Sequence, residues 1–436
     1  MGLENGDVVV MKRTSEEIVA AVRSSSFINS SYGHCASVYS ISTCNGYFVT
    51  TSMDCQVIVW DAQKFVPLAH GGKPILLTYD DVLVLDNNEN NTQANKKKVD
   101  FNNPSGNDGD LSPRRTSVVA DSADGHTEVV TCSAVLLPDN ASAHIQSTLG
   151  SFYFVTGSLD RTSRLWYYER YLATDLPDDG STAAHGNLVS RCQINMMSGI
   201  LCAAIHTDCS AVAMGTDHGH VQLIDCTKVQ SERKITVHKS WKAHRTSISS
   251  LSYCNIDNGG KFVLATGGLD ATVKIWSSVD CSLSSSTVKM SKKSPIPLRI
   301  LYSSLGGISI VKWSPVVGAE NRGVRYLVAG TLKEEILVWS VDQVTLKPIR
   351  VSSFEGHADV VNDLHFTVET KTDGAADASS SGTSKYSMVS LSRDRHLHVW
   401  DLINMSDKNE SGVNRESGAD NVAKETSRLT NMNGGQ

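Results

Sequence analysis

Histidine, a hydroxyl residue, aspartate and tryptophan recur together four times along this 436-residue chain. The sets are His34/Thr50/Asp54/Trp60, His126/Thr156/Asp160/Trp166, His244/Thr266/Asp270/Trp276 and His357/Ser390/Asp394/Trp400. In each, the Asp follows the Thr or Ser by four residues and the Trp follows the Asp by six. A hydroxyl beside His and Asp could serve acyl transfer, with the hydroxyl as nucleophile and the imidazole as base. Repetition argues otherwise, because an enzyme needs one positioned nucleophile with an oxyanion site. Four copies suit a structural network: Asp accepts from His and backbone amides, His reaches the hydroxyl, and the hydroxyl meets the indole N–H. Each buried polar group then finds a partner, which avoids a cost of ~1–3 kcal/mol apiece.

Other chemistry is thinly represented. There is no G-x-S-x-G elbow, P-loop or H-E-x-x-H. His70, His144, His185, His206, His220, His365, His396 and His398 show no metal-ligand spacing; His396 and His398 share a strand face, but two ligands do not make a site. The ten cysteines are scattered without a C-x-x-C pair, which fits free thiols in a reducing compartment. The expectation is a non-enzyme with no catalytic, cofactor-binding or metal residues.

The elements that carry the four sets are strands. FVTTSMDCQVIVWD, FVTGSLDRTSRLWYY, VLATGGLDATVKIWS and MVSLSRDRHLHVWD each give a short apolar strand, a turn at the Asp, and a second strand. The second strand alternates with period two, as in Val57/Val59, Val273/Ile275 and Leu397/Val399. Trp313 and Trp339 fall within further strands and are expected in the core. A histidine after Gly or Ala precedes each unit, and another β-rich stretch follows it.

A Gly-His, a Ser or Thr, a turn Asp and a Trp in a unit of ~40–45 residues resemble the WD repeat. That resemblance implies one four-stranded propeller blade per repeat. Two further units, Val212–Asp225 and Leu327–Ser340, keep the alternation but put His218 and Lys333 at the Asp position. Six blades are expected, at about 34–70, 126–176, 199–239, 244–300, 307–354 and 357–402. Met1–Val10 also parallels Met214–Leu223, with Gly2 and Gly6 matching Gly215 and Gly219, and a strand near Glu17–Arg23 can follow. The chain is thus expected to begin inside a seventh blade whose two inner strands are absent. The last blade lacks an obvious outer strand. On this reading the sequence is a fragment or incomplete gene model, short of at least ~40 residues upstream, one WD-repeat length.

The fold class expected is all-β, a WD-repeat β-propeller of seven blades, six full and one incomplete at the N-terminus. Its parts are the start of the propeller (1–86), a disordered insertion (87–124), the remaining blades (125–402) and a disordered tail (403–436). A second polar loop falls at 368–385. Arg114-Arg115-Thr116-Ser117 fits a basophilic kinase site at Ser117.

Lys plus Arg total 40 against 46 Asp plus Glu, a net charge of −6, which argues against a dedicated nucleic-acid binder. One local basic segment, Lys228–Arg245, could meet RNA or an acidic partner, with Trp241 its lone aromatic. No apolar run approaches the ~18–20 residues of a membrane span, and Glu4 ahead of a short apolar run is unlike a signal peptide. The resemblance implies a non-catalytic intracellular scaffold, cytoplasmic or nuclear, with protein partners in a multisubunit complex and no small-molecule substrate. A ribonucleoprotein or ribosome-assembly factor is the alternative. A ubiquitin-ligase substrate receptor is weakened by Gln63 and Ile403 where such receptors carry Arg two residues past the WD pair. A trafficking scaffold of the BEACH type rests on a loose likeness around FYFVTGSLDRTSRLWYYE.

Overall fold

The repeats become sheets in a computed structural model of the chain. It describes residues 2–3, 5–11, 18–22, 33–44, 46–72, 125–136, 150–170, 186–206, 208–255, 262–277, 283, 294–303, 306–315, 324–342, 344–369 and 385–401. A two-stranded sheet, β1 (Val8–Met11) and β2 (Ile18–Val22), comes first. The first blade is β3 (Val38–Cys44), β4 (Tyr47–Ser52), β5 (Val57–Asp61) and β6 (Pro67–Gly71). The second is β7 (Val130–Leu136), β8 (Phe152–Ser158), β9 (Thr162–Arg170) and β10 (Gly186–Asn195). The third is β11 (Ile200–Ile205), β12 (Ala211–Thr216), β13 (His220–Asp225) and β14 (Thr236–Lys242), with a helical turn α1 (Val229–Glu232) before β14.

The fourth blade is β15 (Ile248–Asn255), β16 (Phe262–Gly268), β17 (Thr272–Trp276) and β18 (Arg299–Tyr302). The fifth is β19 (Ile308–Trp313), β20 (Val324–Thr331), β21 (Ile336–Asp342) and β22 (Pro348–Phe354). The sixth has three described strands, β23 (Val361–Glu369), β24 (Lys385–Ser392) and β25 (Leu397–Asp401). Every pairing is antiparallel, and the innermost strands of successive blades are neighbours around the ring.

There is no single core. Apolar clusters fill the seams, each drawing on two adjacent blades. Between the third and fourth blades, for example, Val221, Leu223 and Trp241 meet Ile248, Leu264 and Trp276. The alternation of each strand explains this, since both faces of an interior blade are covered by a neighbour. Trp313 and Trp339 are buried in the seam between the fourth and fifth blades.

The N-terminal sheet repeats the third blade's outer half. Val8 packs with Phe48, Ile58 and Trp60 of the first blade, as Val221 packs with Leu264 and Trp276 of the fourth. Gly2 bridges Val8, matching the Gly215–Val221 pair. Gly6 N–H donates to Leu3 C=O at 3.2 Å, and Gly219 N–H to Thr216 C=O at 3.0 Å. Both turn glycines have positive φ, 86° and 73°, where a side chain would be strained. The hairpin therefore packs on the first blade as the third packs on the fourth, and its described part is a two-stranded sheet beside six blades.

The second blade ends later than expected. Its outer strand lies at Gly186–Asn195, beyond residue 176. Its third strand runs nine residues to Arg170, and residues 171–185 intervene before the return. The expected insertion 87–124, Ser117 and the tail 403–436 lie outside the described residues.

Candidate functional site

All four polar sets are brought together, each at one end of its blade. The loop before the innermost strand supplies the His, the second strand the hydroxyl, the tight turn the Asp, and the third strand the Trp. In the first blade, Trp60 Nε1–H donates to Thr50 Oγ1 at 2.7 Å. An indole nitrogen can only donate, so Thr50 gives its own hydrogen to His34 Nε2, 2.7 Å away. His34 then carries its proton on Nδ1 and donates to Asp54 Oδ2 at 3.0 Å. The carboxylate also accepts from the backbone N–H groups of Cys35 (3.0 Å) and Gln56 (2.9 Å). The chain of donors runs one way, from indole to carboxylate.

The other three sets have the same order. Trp166 donates to Thr156 (2.8 Å), Thr156 meets His126 (2.7 Å), and His126 meets Asp160 (2.9 Å). The distances are 3.1, 2.6 and 2.9 Å for Trp276, Thr266, His244 and Asp270. They are 2.8, 2.7 and 3.0 Å for Trp400, Ser390, His357 and Asp394. In each, the amide after the His also donates to the Asp. The residue after each Asp is left-handed: Cys55, Arg161, Ala271 and Arg395 have φ of 62–68°.

Burial sets the electrostatics. It pushes the His126 and His357 imidazoles below their ordinary range and outweighs the pull of Asp160 and Asp394. Burial also works to raise each carboxyl, but hydrogen bonds from His and the amides prevail. Asp160 is lowered to about 2, and Asp54, Asp270 and Asp394 are lowered as well. The His126–Asp160 and His357–Asp394 pairs are therefore each a neutral imidazole on an ionised carboxylate. The four hydroxyl residues are fully buried, and each hydroxyl already bonds an indole and an imidazole. A substrate cannot reach any of them.

The WD domain, G-beta repeat profile matches residues 25–61 and 235–277. Those stretches contain the first and third polar sets complete. The chain carries WD repeats and folds into a β-propeller. No curated protein matches it. Among solved structures, it is similar to the computationally designed Ika8 protein, with 14% identity over 92% of this chain and 80% of that chain and a TM-score of 0.47. The two polar sets outside the profile matches have longer His-to-Asp separations. These are 34 and 37 residues, against 20 and 26 in the matched repeats.

The propeller has two recurrent devices beyond the expected sets. The first is a serine two residues before the Asp. Ser52, Ser158 and Ser392 each donate to a loop carbonyl, of Ala36, Glu128 and Asp359, and accept from the Asp N–H. Gly268 stands at this position in the fourth blade, where a Cβ would lie 2.3 Å from His244 Nδ1. The spacing Ser-x-Asp was visible in the sequence. The second device is a bulge near the start of every innermost strand, where the ladder shifts by one residue. At three bulges a hydroxyl donates to the next blade: Thr131 to Ile200 C=O (2.7 Å), Ser249 to Ile308 C=O (2.5 Å) and Ser309 to Val361 C=O (2.6 Å). Only the register reveals these, because the bulged residue varies in type.

The two degenerate repeats exchange the network for apolar packing. Met214 and Ile224 take the hydroxyl and Trp positions of the third blade, fully buried together. Ala329 takes the hydroxyl position in the fifth, beside buried Trp339. His396 and His398 have ring centroids 6.4 Å apart, and no group of three metal-binding side chains occurs among the described residues. The basic segment is divided: Lys228 pairs with Glu232 at 3.0 Å, Lys242 donates to the His218 carbonyl, and Lys239 Nζ lies 5.8 Å over the Trp241 ring.

Proposed function

We propose that this propeller is a non-catalytic scaffold that binds other proteins within a multisubunit complex inside the cell. One observation carries the reading most directly: the recurrent His/hydroxyl/Asp chemistry is sealed within the blades and used for rigidity. What remains for function is surface. Large apolar side chains stand in solvent on several blades, among them Tyr39, Met197, Leu269, Tyr302 and Val344. Such side chains, held on a rigid frame, are suited to anchor partners.

The thiols support a reducing compartment, cytoplasm or nucleus. Burial pushes Cys55, Cys132 and Cys226 up to about 12, so they stay protonated and inert. No helix among the described residues is long and apolar enough to cross a membrane.

The RNA-associated alternative rests on Lys228–Arg245. Its cations are split between faces and partners, which favours the protein-binding reading. Affinity purification of the tagged protein from its own cells, with and without RNase, separates the two. A defined protein set that survives RNase supports the scaffold. Loss of the whole set with RNase moves the assignment to a ribonucleoprotein factor.

A further inference from the structure

The outer edge of the fourth blade differs from an ordinary solvated rim. Strand β18 ends that sheet, and its two faces are unlike. Leu301 points into the seam with the fifth blade, against Val273, Ile275, Val311 and Trp339. Arg299 reaches the same way and donates to Thr345 C=O at 2.8 Å. On the other face Ile300 and Tyr302 are exposed by 42% and 73%, and Ile296 and Leu298 are exposed in the segment just before the strand. Soluble proteins usually blunt such an edge with charge on this face.

Register tells where that face looks. Ile300 lies opposite Lys274, and Lys274 Nζ donates to Ala243 C=O of the third blade at 2.6 Å. Tyr302 lies opposite Thr272, whose hydroxyl meets His244 at 3.1 Å. The apolar stripe therefore faces β14. From β14, Trp241 packs edge-on to Trp276 with centroids 5.7 Å apart, and Lys239 lies over Trp241. Trp241 Nε1 has no hydrogen-bond partner among the described residues.

The backbone of the edge is open too. Ser303 N–H donates to Ala271 C=O at 2.9 Å, across a pair in register with Tyr302–Thr272. The alternation of an antiparallel ladder then turns the N–H and C=O of Ile300 and Tyr302 outward. Charge selects the occupant. The groove carries Lys239 from β14 and Lys274 from β17, and strands β14, β17 and residues 294–303 contain no Asp or Glu.

We infer that the β18 edge is a docking site for an extended segment of a partner protein, acidic and apolar in alternation, which adds as a fifth strand to the fourth blade. Its backbone pairs with Ile300 and Tyr302. Its apolar side chains lie beside Ile300 and Tyr302, and its carboxylates meet Lys239 and Lys274 in the inter-blade groove. The inference rests on the scaffold reading and gives it a surface and a partner chemistry.

The test uses the full chain and a labelled synthetic peptide alternating Glu with Val, with a Lys-for-Glu peptide as control, read by fluorescence anisotropy. The wild-type protein binds the acidic peptide and not the basic one. Tyr302→Glu and Ile300→Pro each weaken binding roughly tenfold or more, and Ile300→Ala by less, because only Pro removes the outward N–H. Ile300 N–H serves no bond to β17, so the Pro variant keeps its melting temperature. The inference is overturned if both peptides bind alike, or if Tyr302→Glu and Ile300→Pro fold normally and bind as wild type. It is also overturned if binding appears only after residues 284–293 are deleted, since the chain would then cover its own edge. In cells, a partner set unchanged by Tyr302→Glu removes this surface and leaves the scaffold standing; absence of any partner set removes the scaffold.

Discussion

Asp54 is the most enclosed of the four turn carboxylates, with no exposed surface. Three N–H donors depend on it: His34 Nδ1–H and the backbone N–H groups of Cys35 and Gln56. In Asp54→Ala all three lose their acceptor. Cys35 is exposed, so water can reach its amide, while His34 and Gln56 are almost wholly buried. Two buried donors at ~1–3 kcal/mol each give an expected loss of roughly 2–6 kcal/mol. The cavity adds little, because Ala keeps the Cβ. Thr50→Val is the companion variant. It leaves the Trp60 indole N–H and the His34 ring nitrogen without a partner at nearly constant volume, for a similar ~2–4 kcal/mol.

Urea unfolding followed by tryptophan fluorescence gives both values, and the double variant should cost less than the sum because the two share His34. A change below about 0.5 kcal/mol for Asp54→Ala, with the fold retained, would refute the network as a stabilising device.

Three further outcomes follow from the same geometry. Gly268→Ala places a Cβ 2.3 Å from His244 Nδ1 and should destabilise by ~1–3 kcal/mol; an unchanged unfolding midpoint would contradict the packing. Ser309→Ala removes the bond from the fifth blade to Val361 C=O and should cost ~1 kcal/mol, seen as faster amide exchange at Val361–Leu364. The third is acid lability. Folded His126 and His357 bind protons less readily than in the unfolded chain, so stability falls as pH drops below about 6.5. The carboxylates add a second loss: their contribution is complete above about pH 4 and disappears as pH falls through the folded value, about 2 for Asp160. Melting temperature should therefore be flat near neutrality and decline in both acidic steps. A higher melting temperature at pH 5 than at pH 7 would contradict the assignment.

Much of this architecture was legible because the polar sets are local. Thr50, Asp54 and Trp60 sit on one hairpin, so a spacing of four and then six residues encodes their contact directly. The parallel between Met1–Val10 and Met214–Leu223 was legible for the same reason, since Gly2, Gly6 and Val8 act within one turn. Contacts between blades were not legible. The bulge hydroxyls of Thr131 and Ser249 meet carbonyls 69 and 59 residues away, and no local pattern reports that. The outer strand of the second blade was missed because its exposed positions are polar and its partner lies across residues 171–185. The apolar edge of β18 was hidden for a related reason. Ile300 and Tyr302 look like core in sequence, and only the register shows that the blade buries the opposite face.

The scaffold claim is tested most directly by the native size of the endogenous protein. Lysate from its own cells, treated with RNase, is fractionated by sedimentation and the chain is followed by immunoblot. The protein should migrate as a discrete, RNase-resistant particle well above the size of its own chain. Migration as a lone chain before and after RNase would contradict a scaffold, and a collapse in size on RNase treatment would assign it to an RNA-held assembly instead.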